Sequence, residues 1–349
     1  MKIEDYVKET PKKMKEILQG ADELFSEVRQ QKFSKIIVTG SGTSYHSGIQ
    51  SLKLMQHFLD IEVTILYPFQ IDQETFPADS SDILLIGISQ GGSSYSTYKA
   101  MKIAKEAGCR IASMAGTENA LIDEISDYVL TVNCGEEKVG AKTKGFYATK
   151  LNLTLFTLQL ARESGKLSLN EYLEEVKAIE KYINHFPFIY EQSINWVSTN
   201  KTEFASAKDI RVIGTKDIYG DTLESALKLL ETMRIPVTGY EFEEFVHGIY
   251  NAIKEDSTII ILDTGEEARV KTLVTVLSEW TKNIYIIGKN TADKPQNLKA
   301  DFLNHPFYRT YEYILPIQLI CALVPPLNGI DPGTPKDTSF HQKLASKKI

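Results

Sequence analysis

Ser89-Gln90-Gly91-Gly92-Ser93-Ser94 follows the apolar run Ile83-Leu84-Leu85-Ile86-Gly87-Ile88 and precedes a helical stretch from Tyr95 to Ala107. Strand, polar loop and helix in that order predict a βα junction. There the backbone N–H groups and the positive end of the helix dipole converge on one point, and the serines surround it with hydroxyl donors. Such a junction suits a phosphate group. A second one lies upstream, where Ile36-Ile37-Val38 runs into Gly40-Ser41-Gly42-Thr43-Ser44 and then a helix from Tyr45 to Leu59. Gly and Ser also cap ordinary βα turns, but two such loops at the ends of parallel strands could grip one phosphate from two sides. Neither is a P-loop, since no Gly-Lys-Ser/Thr ends the turn, and neither has the glycine spacing of a dinucleotide fingerprint. With no neighbouring lysine or metal-binding acid, the donors suit a sugar monophosphate better than a nucleoside triphosphate. No cofactor and no metal are expected.

The chain has 349 residues, 42% of them hydrophobic, enough for two domains of about 150 residues each. A formal net charge of −7 and the lack of a basic run argue against nucleic acid or an anionic membrane as partner, so an anionic ligand must be held by local dipoles. Cys109, Cys134 and Cys321 are scattered without paired metal spacing, which reads as structural thiols in a reducing compartment. The N-terminus, Met1-Lys2-Ile3-Glu4-Asp5, lacks an apolar signal core, and the longest apolar stretch, Tyr313 to Leu327, is broken by Pro316, Pro325 and Pro326. The expected location is the cytoplasm.

Residues 1–33 space Val7, Met14, Ile17, Leu18, Leu24 and Val28 at helical intervals and predict a helical hairpin with a break near Gly20. Residues 34–165 alternate strand and helix and predict an α/β domain with a parallel sheet. Residues 166–190 read as a helical linker ending at His185-Phe186-Pro187, and residues 191–349 as a second α/β domain with a C-terminal tail. The second domain repeats the first. Val38-Thr39-Gly40 recurs as Val212-Ile213-Gly214, Tyr45 as Tyr219, and Asp127-Tyr128-Val129 as Asp301-Phe302-Leu303, all at an offset of 174 residues. Several matches in one register argue for tandem copies of one α/β unit. In the second copy Ser89, Gln90 and Ser94 become Asp263, Thr264 and Ala268, and Glu266 and Glu267 crowd the loop. A carboxylate beside a phosphate dianion is repulsive, so only the first copy is expected to bind phosphate.

If one copy binds, the other is free to supply chemistry. Asp221 to Glu231 reads as a helix with Leu223, Leu227 and Leu230 as its buried stripe and Glu224, Lys228 and Glu231 as a charged one. The charged stripe is open to two readings, a solvated Glu→Lys pair or part of a site, and its helix begins beyond a strand end, the edge where open α/β sheets build sites. Sixteen residues beyond Glu231, His247 stands between acids and Gly248 in a segment with no clear period, as suits a site loop.

Together these residues resemble the sugar isomerase (SIS) domain family, in the tandem arrangement of the isomerase half of glucosamine-6-phosphate synthase and its deglycase relatives. Gly40-Ser41-Gly42-Thr43-Ser44-Tyr45 resembles the family's first phosphate loop, and Ser89-Gln90-Gly91-Gly92-Ser93-Ser94 its second, usually Ser-Gln-Ser-Gly-Glu-Thr. The resemblance implies a phosphate-binding set of Ser41, Gly42, Thr43, Ser44, Ser89, Gln90, Gly91 and Ser94. Gly140-Ala141-Lys142-Thr143-Lys144-Gly145-Phe146 resembles the Val-Ala-Ser-Thr-Lys-Ala-Phe segment that lines the sugar, which adds Gly140 and Ala141, with Glu224, as substrate contacts. Leu223 to Glu231 resembles Leu-Glu-Gly-Ala-Leu-Lys-Leu-Lys-Glu, whose last glutamate moves the proton between the first two sugar carbons; that maps to Glu231, with Lys228 beside it. Glu244-Phe245-Val246-His247-Gly248 resembles Glu-Leu-Lys-His-Gly, whose histidine assists ring opening, often from the partner subunit. The C-terminal tail loosely resembles the Pro-Arg-Asn-Leu-Ala-Lys segment that carries the synthase's Schiff-base lysine, a role open to Lys343 or Lys347.

The resemblance implies two tandem three-layer αβα domains and a homodimer with shared sites. No N-terminal glutaminase domain is read, so glutamine-dependent synthesis is not expected. Three activities stay open: an isomerase or deaminase of an (amino)hexose 6-phosphate, a deglycase splitting a fructosamine 6-phosphate into glucose 6-phosphate and an amine, and a sugar-phosphate sensor without turnover.

Overall fold

The structure is a computed structural model that describes residues 2–288 and 291–347. Residues 1, 289–290 and 348–349, which the expected domain limits include, lie outside the described residues. The chain begins with α1 (Ile3–Leu24), followed by β1 (Lys35–Gly40), α2 (Thr43–Phe58), β2 (Glu62–Leu66), β3 (Ile83–Ser89), α3 (Tyr95–Glu106), β4 (Arg110–Ala115), β5 (Tyr128–Val129), α4 (Lys144–Glu163) and α5 (Leu169–Ser206). The second copy continues with β6 (Ile210–Gly214), α6 (Tyr219–Met233), β7 (Val237–Glu241), α7 (Phe242–Val246), β8 (Thr258–Asp263), α8 (Val270–Leu277), β9 (Ile284–Gly288) and β10 (Asn297–Leu298). Short helices α9 (Thr310–Tyr313), α10 (Leu315–Leu323) and α11 (Phe340–Lys343) close the chain.

Each copy forms a five-stranded parallel sheet, ordered β2-β1-β3-β4-β5 in the first and β7-β6-β8-β9-β10 in the second. The orders are the same, as tandem copies require. Parallel strands covered on both faces must be apolar throughout, and β3 is buried at every position. On one face of the first sheet Ile37, Leu85 and Ile111 pack with Met101 and Ala104 of α3. On the other, α2 comes so close that a Cβ on its Gly48 would meet Ile65 at 2.9 Å. The result is the three-layer α/β architecture. Two compact units emerge: a first made of Glu9–Glu137, Lys144–Glu180 and the tail from Lys336 onward, and a second made of the N-terminal residues up to Lys8, Lys138–Thr143 and Lys181–Pro335.

Three local expectations are corrected. α1 runs unbroken through Pro11 and Gly20; a helical glycine costs only about 1 kcal/mol, and buried Ile17 and Ala21 flank it. α5 runs unbroken through Pro187, and the change between the two units falls within it at Glu180–Lys181, before the expected His185-Phe186-Pro187. Buried Ile183, Phe186, Ile189 and Tyr190 hold that helix on both sides of the proline. The 174-residue register lapses at the last strand, because β10 lies at Asn297–Leu298 and not at Phe302. It pairs with β9 over two residues only, too short a ladder for the hydrophobic pattern to fix its register.

The apolar stretch near the C-terminus is also resolved. Thr310–Asn328 is long and apolar enough by composition to cross a bilayer, with mean hydropathy 1.2, but 78% of it is buried inside the fold.

Candidate functional site

Strands β1 and β3 are neighbours, and the helices that follow them lie on opposite faces of the first sheet. That is a topological switch point, where open α/β sheets form a crevice beyond their strand ends. Both serine-rich loops open onto it. A Cβ on Gly40 would meet Ser44 Cβ at 2.7 Å and the Ile88 carbonyl at 2.9 Å, so only glycine lets the first turn of α2 close this tightly on β3. Gly42 turns the chain into α2 with φ of 55°. Ser44 is buried at 7% exposure and Ser89 at 6%; Ser41 and Gly91 are exposed and Thr43 is half-buried.

The second loop is held by hydrogen bonds among its own hydroxyls and N–H groups. Ser89 Oγ accepts the Ser94 N–H at 3.2 Å, and Ser94 Oγ accepts from Thr97 N and Thr97 Oγ1 at 3.5 and 3.0 Å. Ser94 Oγ also shares a 3.2 Å hydrogen bond with Ser96 Oγ in which either can donate, so the Ser89 proton, and the Ser94 proton when Ser96 is the donor, remain to be given. That polarity matches an anion. Gln90 behaves differently from its neighbours. Its carbonyl accepts from Gly116 N at 3.0 Å, and its side-chain Nε2 donates to Cys134 Sγ at 3.3 Å.

The C-terminal tail lies against the same loop. Lys347 forms an antiparallel bridge with Ser94, and Tyr95 N donates to the Ser346 carbonyl at 3.3 Å. Of the two candidate lysines, Lys343 is engaged by Asp337 at 2.8 Å, whereas Lys347 stands beside Ser94.

In the second copy the corresponding loops are closed from within. Asp217, at the position of Thr43, and Glu266, at the position of Gly92, both bind Arg309, at 2.6 and 2.7 Å. The guanidinium is 1% exposed. Thr215 and Thr264 hydroxyls bond across the loops at 3.1 Å, and Glu267 pairs with Arg269 at 2.9 Å. The acids therefore do not crowd an open loop; they are neutralised by the buried Arg309 and the surface Arg269. Sequence reasoning missed Arg309 because a lone arginine carries no spacing signal.

On α6 the expected burial is reversed. Glu224 and Lys228 are buried at 0% and 2%, while Leu223 and Leu227 are half-buried and Leu230 is 44% exposed. The sheet side of α6 presents Thr222 and Ala226 to Gly214 and Gly239, where a Cβ on Gly239 would meet the Thr222 carbonyl at 2.8 Å. With small residues at that contact and α10 packed alongside, the charged stripe is enclosed. Lys228 Nζ lies 2.5 Å from Glu231 Oε2 and 3.8 Å from Glu224 Oε1. Burial works against the ammonium, but the two carboxylates outweigh it and hold the Lys228 pKa above the ordinary lysine value. Glu231 itself keeps a side chain 36% exposed.

Gly140 and Ala141 fall in the same unit as α6. One loop binds both: Gly140 N donates to the Gly333 carbonyl at 2.7 Å, and Arg234, the left-handed C-cap of α6, donates to the Thr334 carbonyl at 2.8 Å. A cleft of about 800 Å³ opens along this loop, lined by Lys2, Glu4, Lys138, Asp331 and Thr334 among others.

His247 is exposed, and its Nδ1 donates to the Glu243 carbonyl at 2.7 Å. A carbonyl only accepts, so Nε2 is the basic nitrogen. α7 packs with Ile213, Ile259 and Ile261, whereas α6 packs over Gly214 and Gly239. Alternate residues of a strand face opposite ways, so Glu231 and His247 lie on opposite faces of the second sheet. The structure does not bring them together within one chain.

Residues 27–159 match the SIS domain family. The glutamine–fructose-6-phosphate aminotransferase (isomerizing) of Pyrococcus horikoshii is 27% identical over 340 residues, which cover 94% of this chain and 55% of that enzyme. The chain thus spans about half the length of the curated relatives it matches. Among solved structures, a Clostridium difficile 630 protein provisionally described as a phosphosugar isomerase is 59% identical, covers 100% of this chain and 99% of its own, and superposes with a TM-score of 0.98. A Salmonella typhimurium protein provisionally described as sugar-binding is 40% identical, covers 92% of this chain and 99% of its own, and has a TM-score of 0.83.

Proposed function

The chain belongs to the SIS domain family, and from that premise we propose that it is a phosphosugar isomerase acting on an (amino)hexose 6-phosphate, working as a homodimer. The switch-point loops, through Ser41, Gly42, Thr43, Ser44, Ser89, Gly91, Ser94 and the backbone at Gln90, hold the phosphate. Ring opening is assisted by His247, whose Nε2 takes the proton of the anomeric hydroxyl and whose conjugate acid returns one to the ring oxygen. Glu231 then removes the proton next to the carbonyl, giving an enediolate, and returns it to the neighbouring carbon while one proton passes from the adjacent hydroxyl oxygen to the former carbonyl oxygen. Lys228 holds Glu231 Oε2, which leaves Oε1 as the oxygen that receives the proton. Ala141 and Glu224 support the sugar side of the site.

The observation that carries this reading is the triad on α6: a buried ammonium, kept charged by two carboxylates, presenting a partly exposed glutamate. A merely solvated ion pair would not be buried on its cationic side. For a Schiff base we assign Lys347 among the tail lysines, because its backbone bridges Ser94 of the cradle, while Lys343 forms an exposed pair with Asp337.

One observation favours a second reading, the deglycase. The cleft along Asp331–Thr334 carries side chains of both charges, as an amino-acid group attached to the sugar nitrogen would need. Product analysis by NMR in deuterated water separates the two. Incubation with fructose 6-phosphate, glucosamine 6-phosphate and a panel of fructosamine 6-phosphates should give aldose–ketose conversion or ammonia release, with solvent deuterium at the carbon next to the carbonyl. Release of a free amino acid replaces the isomerase with the deglycase, and saturable binding without exchange or product replaces both with a sensor.

A further inference from the structure

Gln90 stands in the middle of the second phosphate loop, yet its amide turns away from the loop's outer surface and into the first unit. Three elements receive it. A Cβ on Gly116, after β4, would meet Gln90 Nε2 at 2.7 Å, and a Cβ on Gly145, in the first turn of α4, would meet the same atom at 2.7 Å. Any larger residue at either position would push the amide out. At the end of this slot Nε2 donates to Cys134 Sγ at 3.3 Å, and the Cys134 thiol donates onward to the Gly135 carbonyl at 3.4 Å. Cys134 is 0% exposed, and burial holds its thiol above the ordinary value, so the sulfur stays protonated and can serve as acceptor and donor at once.

We propose that Cys134 is a positioning residue of the phosphate cradle: it anchors the Gln90 amide in the Gly116–Gly145 slot and so fixes the Ser89–Ser94 loop in its anion-binding conformation. This rests on the cradle reading above. Residue 90 is then held at two points, its carbonyl by Gly116 N and its amide by Cys134. Gln90 reaches the phosphate through its backbone, not its side chain. The chain of dependence is specific, because Gly92 N donates to the Ser89 carbonyl at 2.8 Å and Ser94 N to Ser89 Oγ, so a shift at residue 90 is passed directly to both serines that donate to the anion.

Calorimetric titration with inorganic phosphate and with fructose 6-phosphate tests this on the full-length protein. Cys134→Ala removes the acceptor, Cys134→Ser keeps one, and Gln90→Met fills the slot while removing the donor. The alanine and methionine variants should each weaken phosphate binding by about 2- to 10-fold, the range of one neutral hydrogen bond, and the serine variant should recover most of that loss. The double variant Cys134→Ala/Gln90→Met should be no weaker than either single one, since both break the same contact. In turnover assays KM should rise with kcat nearly unchanged, a split that general destabilisation would not produce. Phosphate affinity unchanged in Cys134→Ala and in Gln90→Met, or losses that multiply in the double variant, would overturn the inference and leave the cradle reading standing. If the unsubstituted protein fails to bind phosphate, or Ser89→Ala binds as well as it does, the cradle reading falls and this inference with it.

Discussion

Glu231 is held in place by a partner it cannot lose without consequence. Lys228 Nζ sits 2.5 Å from Glu231 and is itself enclosed, so the proposed base has one oxygen fixed and one presented. Glu231→Gln keeps the shape and can still meet Lys228 through its amide oxygen, but it has no carboxylate to accept a proton. Turnover should fall by at least about 10²-fold, the scale of general-base catalysis, while phosphate affinity stays within twofold; turnover and titration on the same preparation check both, and full activity would remove Glu231 from the mechanism. Residues of this kind were legible as candidates because the motif fixes their identity and spacing together. Cys134 and Arg309 were not, since each acts through a contact made only in three dimensions: Cys134 meets Gln90 from 44 positions away, and Arg309 meets Asp217 from 92. A thiol or a guanidinium standing alone in a sequence has no period to betray it.

The elements show which physical signals suffice. Strands β1, β3 and β8 were legible as continuous apolar runs, because central parallel strands are buried on both faces, and the loops after β1 and β3 were legible from their serines. The packing of α6 was not, because amphipathic reasoning buries leucines and exposes charges, whereas this helix buries Lys228 between two carboxylates and leaves Leu230 outside. Departures of this sort are expected where a helix serves a site. The second copy's loops carry the reverse lesson: the acids Glu266 and Glu267 were visible, but not the arginines that neutralise them. In the first copy the two loops form the proposed anion site, and in the second the same two loops clamp a cation of the chain itself. Arg309→Met should therefore destabilise the protein by about 3–5 kcal/mol, the usual result of leaving a buried charge, here Asp217, without its partner, with no loss of phosphate affinity in the first unit. Urea denaturation followed by circular dichroism, with titration alongside, measures both; a loss below about 1 kcal/mol would reduce the clamp to an incidental ion pair.

At the scale of the whole molecule, the tandem repeat was legible because a fixed offset of 174 residues recurs across several elements, and one coincidence cannot do that. Its alkaline limit is set by groups buried in their protonated form. Cys321, pushed by burial from 9.0 up to about 12, and Lys228, also raised, bind protons more tightly folded than unfolded. Their contribution is complete below the unfolded values and is lost as pH rises through the folded ones. Thermal melting points should fall progressively between pH 9 and 12, and Cys321→Ala should flatten the lower part of that decline. The placement of the two proposed catalytic groups bears on assembly. Parallel strands are joined by right-handed crossovers, so the chain leaving β6 for β7 and the chain returning from β7 to β8 must cover opposite faces. α6 follows the first crossover and α7 the second, which separates Glu231 from His247 by the thickness of the sheet. If both act on one substrate, His247 comes from another copy, and two inactive variants should repair each other. Mixing Glu231→Gln with His247→Ala in equal amounts, with subunits allowed to exchange, makes about half of the dimers mixed. In each mixed dimer one site lacks both groups and the other has both intact. About a quarter of full activity should return, appearing at the rate of subunit exchange. A mixture no more active than its components would mean that the two groups do not share a site across subunits.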